Sequence, residues 1–278
     1  NNPAFRPAAA HLAAQEDFKD DPAGYQEMIL GVRQQPETID AVAKAMVEDE
    51  NPSDKAALEQ YVRGELQTEA LTRQYVLLID KSGSMTIPDP DGGRYGNRWG
   101  AAELATQKII HTAFKFDMDN KVPTYLFGHK VDEIGEISDP QHVMSLFSEY
   151  RPDGCSTNLA AALDMAMATH LGAARNNYGV VPGTTFIILT DGRPNSESAV
   201  EAVVQKYANP ANGYVKDDQE LALLFIQLGD DKGASDFLQK INHGWTFPTG
   251  KCDVAHCLKD NDLASIGPEA AFRKAIFE

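Results

Sequence analysis

A chain of 278 residues, 42% hydrophobic and 24% charged, carries enough apolar side chains for one large or two smaller packed domains; disordered and fibrous classes are excluded. Its formal net charge of −16, from 41 acidic and 25 basic residues, repels nucleic acid and anionic membrane surfaces and suits a cationic partner or a metal. No apolar stretch approaches the roughly 18 residues of a membrane span, and the first 30 residues lack the apolar core of a secretory signal, so a soluble protein is expected.

Three cysteines make no disulfide framework and favour a reducing, intracellular compartment, the cytoplasm first. The chain opens Asn1-Asn2-Pro3, which leaves an organelle open after removal of a targeting peptide.

Residues 1–70 hold 14 acidic and 6 basic residues, half of the whole charge excess. They read as helices punctuated by proline: "AAAHLAAQ", "DPAGYQEMILGVRQ", "QPETIDAVAKAMVED" and "NPSDKAALEQYVRGEL". Proline in a first helical turn loses no hydrogen bond. In the third, Ile39, Val42, Ala43 and Met46 form one apolar stripe that needs a partner surface. These helices pack on each other or on the following domain, or they form a helical module that grips a peptide.

From residue 71 apolar strands alternate with helices, the mark of an α/β domain with a mostly parallel sheet. "YVLLID" (75–80) is continuously apolar, as a strand covered on both faces should be. A helix follows over 98–116, with Ala102, Ala105, Ile109 and Ala113 on one face. "VPTYLFG" and "VDEIGEI" flank "HK" as a hairpin, and the second alternates like an edge strand. Helices over 139–150 and 157–171 precede "TTFIILTD" (184–191), which repeats the first strand's pattern of an apolar run closed by aspartate. A helix over 196–208, a buried strand over 221–229, a helix over 233–242 and one more strand and helix complete six strands. "KCDVAHCL" reads as a period-2 strand with Cys252, Val254 and His256 on one face. Two cysteines and one histidine in six residues fall short of a four-ligand zinc site.

Ligands gather at the carboxyl edge of open α/β sheets. Three segments reach that edge with oxygen-bearing side chains: Asp80-Lys81-Ser82-Gly83-Ser84, the turn "PDGCSTNL" with Thr157, and Thr190-Asp191-Gly192. Two carboxylates and three hydroxyls are all hard donors, which select magnesium, manganese or calcium over zinc or copper. Gly83 permits the sharp turn that lets Ser82 and Ser84 face one point. Thr157 stands at a helix start, where a hydroxyl also serves as an N-cap.

Asp80-x-Ser82-x-Ser84, Thr157 followed by Asn158-Leu159, and Thr190-Asp191-Gly192 resemble the three segments of the metal-ion-dependent adhesion site of von Willebrand factor A domains. The resemblance covers about residues 72–278 and leaves 1–70 outside. It implies a Rossmann-like three-layer fold: a six-stranded, mostly parallel sheet with one antiparallel edge strand, wrapped by helices. It implies that Ser82, Ser84 and Thr157 coordinate Mg2+ or Mn2+ through hydroxyls, and that Asp80 and Asp191 hold the ion directly or through water. The open coordination position then accepts an acidic side chain of a partner protein. The chain departs from the family at Gly154-Cys155-Ser156, where a glycine pair is common, and in the long loop 85–97, "MTIPDPDGGRYGN", either a specificity loop or a solvated connection.

Three functions follow. The first is a metal-dependent binding module. The second is a subunit of a larger assembly docked through residues 1–70, as in the adaptor-like von Willebrand A domains of AAA+ chaperones and chelatases. The third is a magnesium-dependent hydrolase with His129 as its base. No GxxxxGK[ST], GxGxxG or GxSxG motif supports nucleotide or acyl chemistry, so catalysis is not expected.

Overall fold

The computed structural model describes residues 73–117, 120–172, 183–215, 220–242, 245–247, 250–252 and 254–277, with the side chains of 245–252 and 277 excepted. The helices expected over 1–70 lie outside the described residues.

Strand β1 (Gln74–Asp80) is buried at every position, because it lies between two parallel neighbours, β2 (Val122–Phe127) and β4 (Thr184–Thr190), and both of its faces are covered. Strand β3 (Val131–Ile137) pairs antiparallel with β2 at the edge, and its polar residues Asp132, Glu133 and Glu136 suit that half-solvated place. Strand β5 (Leu221–Gln227) pairs with β4, and β8 (Ala255–Lys259) closes the other edge, giving the order β3-β2-β1-β4-β5-β8. Five strands run parallel and one antiparallel, as the resemblance implies.

"KCDVAHCL" is not one strand. β6 (Trp245–Phe247) and β7 (Gly250–Cys252) form a separate two-stranded ribbon, and the main sheet resumes only at Ala255. Asn242 fixes that restart by accepting the Cys257 N–H at 2.6 Å, a long-range contact that local periodicity does not report.

Helices cover both faces: α1 (Arg98–Phe116), α2 (Pro140–Glu149), α3 (Leu159–His170), α4 (Glu197–Ala208), α5 (Lys232–Ile241), α6 (Asp260–Ile266) and α7 (Pro268–Phe277). The even residues of β1, Val76 and Leu78, pack with Tyr125 and Phe127 against Leu163, Met167, Val200 and Val204 of α3 and α4. On the opposite face Tyr75 stacks on Phe272 of α7 at 4.8 Å between ring centres. Alternation of side chains along β1 thus feeds two apolar layers from one continuously apolar run. Ala102, Ala105, Ile109 and Ala113 of α1 are all buried, as their spacing predicts.

The chain builds β1, β2 and β3 toward one side and then returns to lay β4 on the other side of β1. β1 and β4 therefore flank the topological switch point, where the carboxyl ends of neighbouring strands diverge and leave a crevice.

Candidate metal centre

Strand register sets the site. Ile79 aligns with Leu189, so Asp80 and Thr190 come level at the ends of β1 and β4. Thr190 Oγ1 donates to Asp80 Oδ2 at 2.7 Å, and the Ser82 N–H donates to Asp80 Oδ1 at 2.8 Å. Beyond the strand end a short 3-10 turn, Gly83–Thr86, brings the two serine hydroxyls to 3.0 Å from each other. Ser84 Oγ then donates to Asp191 Oδ1 at 2.8 Å. Asp80 and Asp191 are wholly shielded from solvent.

The third segment enters by backbone contacts. The Gly83 N–H donates to the Gly154 carbonyl at 3.0 Å, and a Cβ at Gly83 would sit 2.4 Å from that oxygen, so only glycine permits the approach. Asn195, in the loop after β4, accepts the Thr157 N–H on its side chain at 2.9 Å and donates its own N–H to the Thr157 carbonyl at 3.0 Å. Thr157 is buried at the junction. It is not an N-cap, because α3 begins at Leu159 and Asn158 holds the cap position.

Burial pushes the Asp80 carboxyl up to about 6, and the neighbouring Asp191 charge adds to the rise; hydrogen bonds from Ser82 and Thr190 oppose it. Two buried carboxylates side by side, with the charge of one making ionisation of Asp80 costlier, are a site in want of positive charge. Part of that charge is Arg98, the first residue of α1, whose Nη1 lies 2.9 Å from Asp191 Oδ2.

Of the five residues expected at the site, Asp80, Ser82, Ser84 and Asp191 meet at the ends of β1 and β4, and Thr157 is placed by its backbone bonds to Asn195. The four are linked in series: the Ser82 N–H bonds Asp80, the Ser82 and Ser84 hydroxyls bond each other, and Ser84 bonds Asp191. The donor set fits a hard divalent ion: two buried carboxylates supply charge, and the Ser82 and Ser84 hydroxyls beside them supply neutral oxygens. Among the described residues no three His, Cys, Asp or Glu side chains gather into an alternative metal group.

Sequence reasoning missed three contributors: Arg98, Asn195 and the hydroxyl role of Thr190. No local signal marks Arg98 or Asn195. Thr190 lay inside a quoted motif, and the in-register pairing of two aspartate-ended strands was the available clue. His129 is exposed and borders a cavity of roughly 310 Å³ with Lys81, Lys130, Asp132, Asp153 and Gly154, beside the crevice. Lys81 is itself buried and bridges Asp153 at 2.8 Å and Asp132 at 3.4 Å, which anchors the 151–157 loop.

The loop 85–97 is folded onto the domain. Pro88 bridges Asn97, the Arg98 N–H donates to the Ile87 carbonyl, and Arg94 spans from Glu103 to Ser148 and the Met144 carbonyl.

The fold matches solved structures of low sequence identity. The VWA domain of SpRpn10 aligns over 71% of this chain and 96% of its own length, with a TM-score of 0.51 and 12% identity. Manganese-loaded TRAP from Plasmodium vivax aligns over 74% of each chain, with a TM-score of 0.50 and 19% identity. No family model matches the chain, and no curated protein matches it in sequence. The described domain has the von Willebrand factor A fold, in agreement with the motif resemblance. None of its described helices is long and apolar enough to cross a membrane.

Proposed function

We propose that this protein is a divalent-metal-dependent protein-binding module. Asp80, Ser82, Ser84, Thr157 and Asp191 hold one Mg2+ or Mn2+ ion at the β1–β4 crevice. The bound ion supplies an electrophilic coordination position for an acidic side chain of a protein partner. The observation that carries the reading is the chain of contacts from Thr190 through Asp80, Ser82 and Ser84 to Asp191, which concentrates two buried carboxylates and the serine hydroxyls at one point. Manganese in the similarly folded TRAP structure supports the choice of ion.

The protein's own residues position and do not react. Thr190 and the Ser82 N–H orient the Asp80 carboxylate, Ser84 and Arg98 orient Asp191, and Asn195 fixes the backbone that carries Thr157. The role proposed is binding without turnover, in an intracellular setting, as an adaptor or as a subunit of a larger complex docked through residues 1–70.

The test is calorimetric titration of Mg2+ and Mn2+ into the full chain and its Asp80→Ala and Asp191→Ala variants, followed by affinity capture in Mg2+ and elution with EDTA. Saturable binding by the wild type alone, with partners released by EDTA, is expected. Folded variants that retain both partner and ion would end the proposal. Magnesium-dependent hydrolysis of phosphate esters lost in His129→Ala would replace it with an enzyme.

A further inference from the structure

The crevice holds a cation that the motif does not include. Arg98 leaves α1 at its first position, set by the Asn97 cap, whose side chain accepts the Gly100 N–H at 3.1 Å. Its guanidinium reaches Asp191 Oδ2 while Ser84 holds Oδ1, so each oxygen of that carboxylate has its own donor. The Arg98 side chain is only 12% exposed and Asp191 not at all.

The slot is shaped for it. Gly229, just past β5, has φ +67°, and a Cβ there would lie 2.6 Å from Arg98 Nε. The neighbouring carboxylate, Asp230, is engaged by Lys259 at 2.9 Å. A half-buried guanidinium is therefore aimed at one particular carboxylate of the candidate metal set, from an element that carries none of the metal motif.

We propose that Arg98 is the resident counter-cation of this site, a positioning residue that holds Asp191 and sets how tightly a divalent ion binds. The proposal rests on the metal-binding reading above. Asp80 and Asp191 with Arg98 carry one net negative charge, so an entering ion meets half the charge that the bare carboxylates would offer. After it binds, the cluster carries one net positive charge, which favours an anionic side chain from a partner. Arg98 weakens the hold on the ion and strengthens the site's demand for an acid. Like charges a few ångströms apart within a partly buried site oppose each other strongly enough to change affinity by about tenfold or more.

The experiment is Mn2+ titration by calorimetry into the full chain and into Arg98→Met, Arg98→Gln and Arg98→Lys, with melting temperatures measured in EDTA and in saturating Mn2+. Arg98→Met and Arg98→Gln should bind Mn2+ about tenfold more tightly than wild type. Both should melt lower than wild type in EDTA and regain most of the difference in Mn2+, and Arg98→Lys should stay near wild type in affinity. A merely structural role predicts the opposite sign, since damage to the crevice loosens ion binding. Equal or weaker Mn2+ binding by both uncharged variants overturns the proposal while the metal reading stands. If neither wild type nor variants take up Mn2+, the metal reading falls and this proposal with it.

Discussion

Ser84 donates its hydroxyl proton to Asp191 across 107 residues of chain, at 2.8 Å. That bond joins the turn after β1 to the end of β4, the two strands on either side of the topological switch. It exists because Gly83 lets the chain reverse under the Gly154 carbonyl before Ser84 is reached.

Gly83→Ala should therefore spoil the crevice without unfolding the domain. A methyl group 2.4 Å from a backbone oxygen forces the 80–84 and 151–157 segments apart. Mn2+ affinity should fall at least about tenfold, since a displacement that costs ~1.4 kcal/mol of ligand geometry is a factor of ten. Circular dichroism should remain that of wild type. Unchanged affinity would show that the two segments do not need their close contact.

Thr190→Val keeps the shape of a buried side chain and removes the donor to Asp80 Oδ2. A charged acceptor left short of a partner in a buried place costs about 1–3 kcal/mol, to be read by denaturant unfolding in EDTA. Addition of Mg2+ should recover part of that loss, and a stability equal to wild type in EDTA would contradict the assigned bond.

Ion binding should depend on pH through Asp80. Its carboxyl, raised to about 6, is partly protonated in mildly acidic solution, and a divalent ion must displace that proton. Apparent Mg2+ affinity should decline as pH falls through about 6. Calorimetry at pH 7.5 and 5.5 in buffers of different ionisation enthalpy checks this, with proton release expected only at the lower value. In the absence of an ion the raised value works against folding, and stability from this group is lost as pH rises from the unfolded value toward 6.

His170 pulls the other way. Burial lowers it to about 4, and its Nε2 lies 3.0 Å from the Tyr125 hydroxyl beneath α3. The folded state keeps it neutral where the unfolded chain protonates near 6.5, so stability falls as pH drops from about 6.5 to 4, by on the order of 3 kcal/mol. The observable is the difference between wild type and His170→Gln across that range, which cancels the Asp80 contribution. The variant should have the shallower acid limb, and parallel curves would refute the assignment.

Phe272 of α7 should carry much of that helix's attachment, since it is fully buried and stacked on Tyr75. Phe272→Ala should cost about 3–5 kcal/mol in denaturant unfolding. A loss below 1 kcal/mol would mean that α7 is not part of the cooperative unit.

Five of the six main-sheet strands, all the long helices of the α/β domain and the meeting of Asp80, Ser82, Ser84 and Asp191 were legible in the sequence. Buried strands announce themselves by unbroken apolar runs such as "YVLLID" and "LALLFIQ", and edge strand β3 by its alternation of apolar and acidic residues. The motif was legible because its chemistry demands particular side chains at fixed spacing next to strand ends. The β6–β7 ribbon, the late start of β8 and helix α6 were not, because short elements are placed by contacts such as Asn242 to the Cys257 N–H rather than by their own periodicity.

The sequence alone determined which atoms the crevice would offer, since side-chain oxygens and apolar runs are properties of residues in order. Only the tertiary structure decided how those atoms meet: the alignment of Ile79 with Leu189, the tie from Asn195 to Thr157, and the arrival of Arg98 beside Asp191. Strand register, loop closure and the pairing of buried charges are relations between distant parts of the chain, fixed by packing and by the cost of leaving a buried polar group unsatisfied.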